Sequence, residues 1–323
     1  MPVLVALALL GGGALLLIKG ADWFMDGVGD TAKALGLSVL AIGILLAGLE
    51  PEEMLTAAIA SAQGYPALAL GNIIGTNVTM VTAALGISAL IAPMTLDRRL
   101  RRPAILATIV SLLPIGLLLS GAVSRLAGLL LLIVFIGYTF LLIRTDRATL
   151  ERKEMLERDD DDDDEQPETR STLWRDGAMV VAGVVAMAVG GPAIVGGAEG
   201  LTRSIGLNQH AVGATLVSLA TGSEMIVLGI VAARKQRAEV LLGGLLGSFA
   251  YNLLVTLGLA AAIRPIPVDL QQTAISFSCM IVAHLLLLFA IWRGRLGRLA
   301  GIVFLLFYAG YVLAMVLTGF SPR

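Results

Sequence analysis

Long apolar runs, separated by short segments that carry charges, proline or glycine, cover almost the whole 323-residue chain. Hydrophobic residues make up 57% of it and the mean hydropathy is +0.88, which is more apolar surface than the interior of a soluble domain of this length can hold. A helix of ~20 apolar residues crosses a bilayer, and these runs are too uniformly apolar for barrel strands. The sequence therefore predicts an all-α polytopic membrane protein.

The apolar runs predict about ten transmembrane helices, at residues 3–30, 38–62, 66–92, 103–121, 126–143, 177–202, 209–233, 239–262, 270–291 and 299–318. The first run has no basic leader and no cleavage site, so we expect it to remain as a span. If the N-terminus lies outside, 18 Lys and Arg residues fall in cytoplasmic loops and 4 fall outside. This bias predicts a multi-pass protein of the cell inner membrane with both termini outside.

An acidic segment between the fifth and sixth spans divides the chain into two halves. It contains Asp159–Asp164, followed by Glu165 and Glu168, and has almost nothing to bury. We interpret residues 146–175 as a disordered cytoplasmic linker, with residues 1–145 and 176–323 as two five-helix repeats. A calcium-sensing role for the acid cluster is the alternative interpretation.

The two halves match in three segments: residues 20–22 with 197–199, 35–43 with 205–213, and 71–76 with 243–248. Because each half has an odd number of predicted spans, the two copies are expected to be inverted relative to one another. Inverted repeats are typical of secondary transporters, whose site lies at the repeat interface near the bilayer midplane. The glycines four residues apart in the last matching pair of segments would also allow close helix packing.

Carboxylates interrupt the second and seventh predicted spans: Glu50, Glu52, Glu53 and Glu224. A carboxylate at mid-bilayer depth costs ~2.5–3.5 kcal/mol, so such residues usually face a cavity, a partner or an ion. Pro51 and Gly222 would break the helices and free backbone carbonyls, and the resulting oxygen-rich site suits hard cations such as Ca²⁺, Na⁺ or Mg²⁺. Alternatively, some of these acids lie at headgroup depth or are protonated, an interpretation that applies most to Glu50.

Spacing relates the acids of the two halves. Glu52 lies 19 residues before Gly71, and Glu224 lies 19 residues before Gly243, so the pair is predicted to be symmetry-related. The candidate neutral ligands are Thr76, Thr221, Ser223, Ser248 and Asn252. Any one of these hydroxyls can instead bond to its own helix backbone.

These features resemble the cation/calcium exchanger superfamily, which includes the sodium/calcium exchangers. The resemblance also rests on the Gly-Ala-Asp-Trp-Phe segment at residues 20–24 and on repeat regions at 40–85 and 211–256. In that family each repeat carries Gly-Thr-Ser-x-Pro-Glu and then Gly-Asn-x-x-Gly-Ser, and the acids and hydroxyls coordinate the transported ions. The resemblance implies that Glu53 is the glutamate of the first motif. In the second motif that position falls on Met225, unless the alignment slips by one residue to Glu224, and later ligand positions fall on Met80 and Asn252.

We therefore predict a secondary active cation antiporter that exchanges Ca²⁺ for Na⁺ or H⁺, has inorganic cations and the lipid bilayer as its partners, and needs no cofactor. No enzyme activity and no nucleic-acid partner are expected, because the spans contain no nucleophile with its base and no Cys/His cluster with zinc spacing. The alternatives are an H⁺-coupled antiporter of another cation on the same scaffold, and a channel or receptor that does not exchange ions.

Overall fold

The computed structural model describes residues 3–157, 170–202 and 209–319, and this part of the chain is mostly helical. Its α-helices are α1 Val3–Leu35, α2 Val39–Ile42, α3 Pro51–Ala62, α4 Pro66–Thr79, α5 Leu85–Ile91, α6 Arg101–Leu119, α7 Arg125–Glu157, α8 Arg170–Thr202, α9 Gln209–Val212, α10 Ser218–Thr221, α11 Ser223–Arg234, α12 Ala238–Tyr251, α13 Leu257–Ile263, α14 Leu270–Arg293 and α15 Arg298–Gly319. π-Helical turns follow α2, α4, α9 and α12, at Gly43–Ala47, Met80–Ala84, Gly213–Val217 and Asn252–Thr256, and a 3₁₀ turn, Arg98–Leu100, precedes α6.

Helix is present in each of the ten predicted spans. In the described part of the chain, six helical segments are long and apolar enough to cross a membrane alone: Pro66–Ile91, Arg98–Leu119, Arg125–Arg147, Ala238–Ile263, Leu270–Arg293 and Arg298–Gly319. Two bent pairs also qualify: Gly11–Leu35 with Val39–Ala47, bent by 114°, and His210–Thr221 with Ser223–Arg234, bent by 41°. The all-α prediction is confirmed, while the count of ten spans stays a prediction.

Helices α7 and α8 extend beyond the predicted spans into the predicted linker. Helix α7 continues to Glu157 and α8 begins at Arg170, so the ends of the segment 146–175 are helical rather than disordered. The residues after Arg144 are rich in Arg, Lys, Glu, Leu and Met, which are good helix formers. The carboxylate of Asp146 also accepts hydrogen bonds from the Ser38 amide and hydroxyl, at 2.8 and 2.7 Å. The acidic run Asp159–Asp164 lies outside the described residues.

Four short strands depart from the purely helical expectation. Strand β1 Met94–Thr95 pairs antiparallel with β4 Arg295–Leu296, and β2 Ala122–Val123 pairs with β3 Ile266–Pro267. Each pair joins a loop of the first half to a loop of the second half. Both loops of the first pair are predicted to be cytoplasmic and both loops of the second pair are predicted to be outside, which is the pairing that inverted halves require.

Glycines bring helices of opposite halves into backbone contact. A Cβ atom added at Gly71 would lie 2.3 Å from the carbonyl oxygen of His210, and one at Gly75 would lie 2.6 Å from that of Ala214. The same contact recurs in the other half, where a Cβ at Gly247 would lie 2.2 Å from the Ile44 carbonyl oxygen. The predicted close approach is therefore confirmed: α4 packs on α9 and the turn after it, and α12 packs on α2 and the turn after it.

Burial differs sharply between the inner and outer helices. Almost every residue of α12 is buried, whereas Ile136 of α7 and Leu306 of α15 are 68% and 67% exposed. Apolar side chains exposed along whole helix faces match a lipid environment rather than water. The polar residues described below lie at the start of α3 and α11, in α4, α10 and α12, and in the π-helical turn after α12.

Replacing Gly213 with Ala tests the backbone contact between the halves. A Cβ there would meet the carbonyl oxygen of Leu68 at 2.4 Å, so the helices must move apart, at a cost of ~1–3 kcal/mol. We expect a lower melting midpoint for the purified protein in detergent. Gly137→Ala in α7 is the matched control, because nothing lies within 4 Å of that position. Equal midpoints for the two variants would contradict the contact.

Candidate cation site

The second span breaks at its centre because Pro51 cannot continue a helix. The π-helical turn Gly43–Ala47 leads into a non-helical joint, and α3 begins at Pro51, with Glu50 as its N-cap residue. Glu53 therefore lies in the first turn of α3, where the helix dipole favours negative charge. The seventh span also breaks, with a bend of 41° at Gly222 but without a proline, and Glu224 lies in the first turn of α11.

Glu53 belongs to a hydrogen-bonded group that joins the two halves. Its side chain is fully buried, and its Oε2 accepts a hydrogen bond of 3.0 Å from the Asn72 amide. The Asn72 Oδ1 lies 3.3 Å from the hydroxyl of Thr221, which can donate to it. The Thr221 hydroxyl also lies 3.2 Å from the Thr76 hydroxyl and 3.1 Å from the Val217 carbonyl oxygen of its own helix, which competes for its proton. Because Asn72 is neutral, its hydrogen bond orients the Glu53 carboxylate without neutralising its charge.

Glu50 makes a second carboxylate–amide pair across the repeat interface. Its Oε2 accepts a hydrogen bond of 2.8 Å from the amide of Asn252, in the eighth predicted span. Asn252 is held in turn by the hydroxyl of Thr256, which donates to its Oδ1 at 3.1 Å. All three side chains are fully buried inside the protein, while the depth of Glu50 in the membrane stays a prediction.

Ser248 contacts a thioether rather than an oxygen. Its hydroxyl donates to the Met80 Sδ at 2.9 Å, and both residues are fully buried. Met80 and Asn252 are the first residues of equivalent π-helical turns, so a sulfur in the first half stands where the second half has an amide. Met80 and Asn252 therefore occupy equivalent backbone positions, while a ligand role for these positions stays a prediction.

The structure gathers some of the predicted site residues and leaves others aside. Glu50, Glu53, Thr76, Thr221, Ser248 and Asn252 lie buried in the contacts described above. The Ser223 hydroxyl bonds to the backbone carbonyl of Ala220 at 2.6 Å, so it serves its own turn. Glu224 is buried at the start of α11, while the side chain of Glu52 lies outside the described part of the structure. Among the described side chains, no three from His, Cys, Asp and Glu cluster as a metal site would require.

Asn72 and Thr256 were not among the predicted ligands, although both touch them. Asn72 could have been identified from the sequence, because an amide in an apolar span needs a polar partner and this one lies 19 residues after Glu53. Thr256 could not have been identified in this way, because a lone Thr in a span usually bonds to its own helix.

Buried carboxylates, amides and hydroxyls at the junction of two helical halves are typical of membrane transporters of ions. The chain belongs to the sodium/calcium exchanger protein family, whose sequence model matches residues 5–144 and 177–317. This is a family of transporters rather than enzymes.

Individual relatives agree with that membership over nearly the full chain. The sodium/calcium exchanger MaX1 of Methanosarcina acetivorans is 24% identical, over 94% of this chain and 96% of its own. The inner membrane protein YrbG of Escherichia coli is 26% identical, over 90% of each. A solved structure of the sodium-calcium exchanger NCX_Mj is 23% identical and superimposes with a TM-score of 0.77, covering 97% of this chain and 99% of its own. The polytopic helical fold and the predicted family are thereby confirmed.

Thr221→Val tests the hydrogen-bonded group that joins the halves. The substitution keeps the side-chain volume but removes the hydroxyl that faces Asn72 and Thr76, which should lower stability by ~1–3 kcal/mol. Thermal unfolding in detergent measures the change. Thr318→Val is the control, since that exposed hydroxyl bonds only to its own helix near the end of α15. A Thr221 variant as stable as the control would show that this group contributes nothing.

Proposed function

We propose that the protein is a secondary active antiporter that exchanges Ca²⁺ for Na⁺ or H⁺ by alternating access at the buried polar site. The observation that carries the proposal is the Glu53 carboxylate, fully buried and hydrogen-bonded within a group drawn from both halves. A cation bound there would touch both halves at once. Its binding can therefore bias how the halves sit against each other.

The ligand types favour a hard cation. The candidate charged ligands are Glu50, Glu52, Glu53 and Glu224, and the candidate neutral ligands are Thr76, Thr221, Ser223, Ser248 and Asn252, to which the structure adds Asn72. Carboxylate, amide and hydroxyl oxygens are the ligands that Ca²⁺ and Na⁺ prefer. The transported ions are substrates, and the proposal requires no resident cofactor.

Coupling follows from the cost of moving an empty charged site through a closed state. A deprotonated carboxylate that faces neither water nor a cation is expensive in a membrane interior. Calcium lowers that cost, and sodium ions or protons lower it at the same carboxylates. The protein then switches between its outward-open and inward-open states only when calcium or the counter-ions are bound, which makes transport an exchange.

The orientation is part of the same proposal. We infer that both termini and the β2–β3 side lie outside, and that the β1–β4 side and the acidic segment lie in the cytoplasm. The excess of Lys and Arg in the predicted cytoplasmic loops supports this orientation. The cross-repeat strand pairs support only the assignment of the two loops of each pair to the same side.

Calcium flux into proteoliposomes tests the exchange. We expect wild-type protein to take up radioactive calcium when an outward Na⁺ or H⁺ gradient is imposed. Glu53→Gln should lower the rate by about tenfold or more, because a neutral amide replaces the charged ligand. Glu239→Gln is the matched control: this acid lies in the first turn of α12, ~14 Å along the helix from Ser248. Its flux should equal that of the wild type.

Two outcomes would contradict the proposal. Calcium entry down its own gradient, unaffected by any counter-ion, would indicate a channel. No calcium flux from a monodisperse, folded wild type under either gradient would exclude calcium, and the same assay with other cations would then identify the cargo.

A further inference from the structure

The two repeats match closely in backbone but not in charge. Helices α3 and α11 each have 12 residues, and the helices after them, α4 and α12, each have 14. A five-residue π-helical turn and a seven-residue helix then follow in both halves. The register needs no slip: Glu53 and Met225 are the third residues of α3 and α11, and Asn72 and Gly244 are the seventh residues of α4 and α12.

An apolar contact replaces the Glu53–Asn72 hydrogen bond in the second half. Met225 is buried, and a Cβ atom added at Gly244 would lie 3.5 Å from its Cε. The carboxylate and the amide of the first half are thus replaced in the second half by a thioether and a glycine, with the thioether beside the space that a side chain at Gly244 would occupy. The second half therefore has no carboxylate at the position equivalent to Glu53.

Glu50 lies where it can supply the missing charge. It precedes Glu53 by three residues, at the break of the second span, and its carboxylate reaches the second half through the 2.8 Å hydrogen bond from Asn252. Its equivalent at the break of the seventh span is Gly222, which carries no side chain. The second half therefore lacks a carboxylate at Met225, and the first half has an additional one at Glu50. The Glu50 carboxylate contacts the second half.

We propose that Glu50 provides the second charged ligand of the cation site, in place of a carboxylate from the second half. The first half then supplies two charges to a divalent cation, Glu53 and Glu50, and Asn252 and Thr221 of the second half provide neutral oxygens. This inference rests on the proposed function. It adds that Glu50 is the residue that determines the preference of the cation site for a divalent cation.

Relocating the charge tests the proposal. Glu50→Gln keeps an acceptor for the Asn252 amide, so the fold is retained, but we expect calcium flux to fall by about tenfold or more. Adding Met225→Glu and Gly244→Asn to this variant rebuilds the first half's pair in the second half and should restore at least part of the flux. Met225→Glu without the Gly244 change is a second rescue variant that places less volume at the contact. Melting midpoints and elution profiles establish that each variant is folded.

The outcomes separate this inference from the proposed function. Normal calcium flux in Glu50→Gln, with the wild type active, would overturn the role of Glu50 and leave exchange intact. Loss of flux in Glu50→Gln with no restoration in either folded rescue variant would overturn the proposal that Glu50 acts through its charge. A carboxylate added in the second half can replace a charged ligand, but it cannot replace a residue that is needed only for structure. A wild type without calcium flux would overturn the proposed function instead.

Discussion

Where α4 crosses the turn after α9, Gly71 and Gly213 leave the backbones of the two halves in direct contact. Each glycine faces a carbonyl oxygen of the opposite half at a distance that no side chain would allow. The short side chains of Asn72, Thr76 and Thr221 can therefore meet across the interface. A larger distance between the helices would prevent these contacts. Larger residues at the crossings would separate these groups and leave buried polar atoms without partners, which costs more than the lost packing alone.

The breaks in the second and seventh spans serve the same site by a different means. An uninterrupted helix would bond its own backbone groups and place its side chains at fixed angles. Here a joint of a few residues starts α3 beside the interface, so that Glu50 and Glu53 lie at a helix N-terminus, where negative charge is stabilised by ~0.3–1 kcal/mol. The four π-helical turns lie at equivalent points in the two halves, close to the same residues, and such turns are frequent at functional sites. Local irregularity of the helices is thus concentrated at the polar site.

Much of this arrangement could be predicted from the sequence, because lipid imposes strict rules on composition. Apolar runs of the right length indicated helices at all ten predicted places, and the cost of burying acids made Glu53 a candidate ligand. Pairings across the interface could not be predicted in this way. The Glu50–Asn252 contact joins residues 202 positions apart, and only the crossing of the second and eighth spans brings them together. The sequence also did not predict that the Ser223 hydroxyl bonds to its own turn. The helical ends of the predicted linker were not predicted, because the many charged residues of this segment were interpreted as a sign of disorder. Arg, Lys and Glu are nevertheless good helix formers.

A repeated backbone does not require repeated side chains. Alternating access needs two halves of similar shape, because each must be able to take the position of the other relative to the membrane. A cation bound at the proposed interface site would instead depend on the sum of the nearby charges. A carboxylate from either half can provide that charge if it reaches the interface, as Glu50 does through Asn252. The backbone symmetry of helices and turns is accordingly retained in this chain, while the positions of Glu53 and Met225 have diverged.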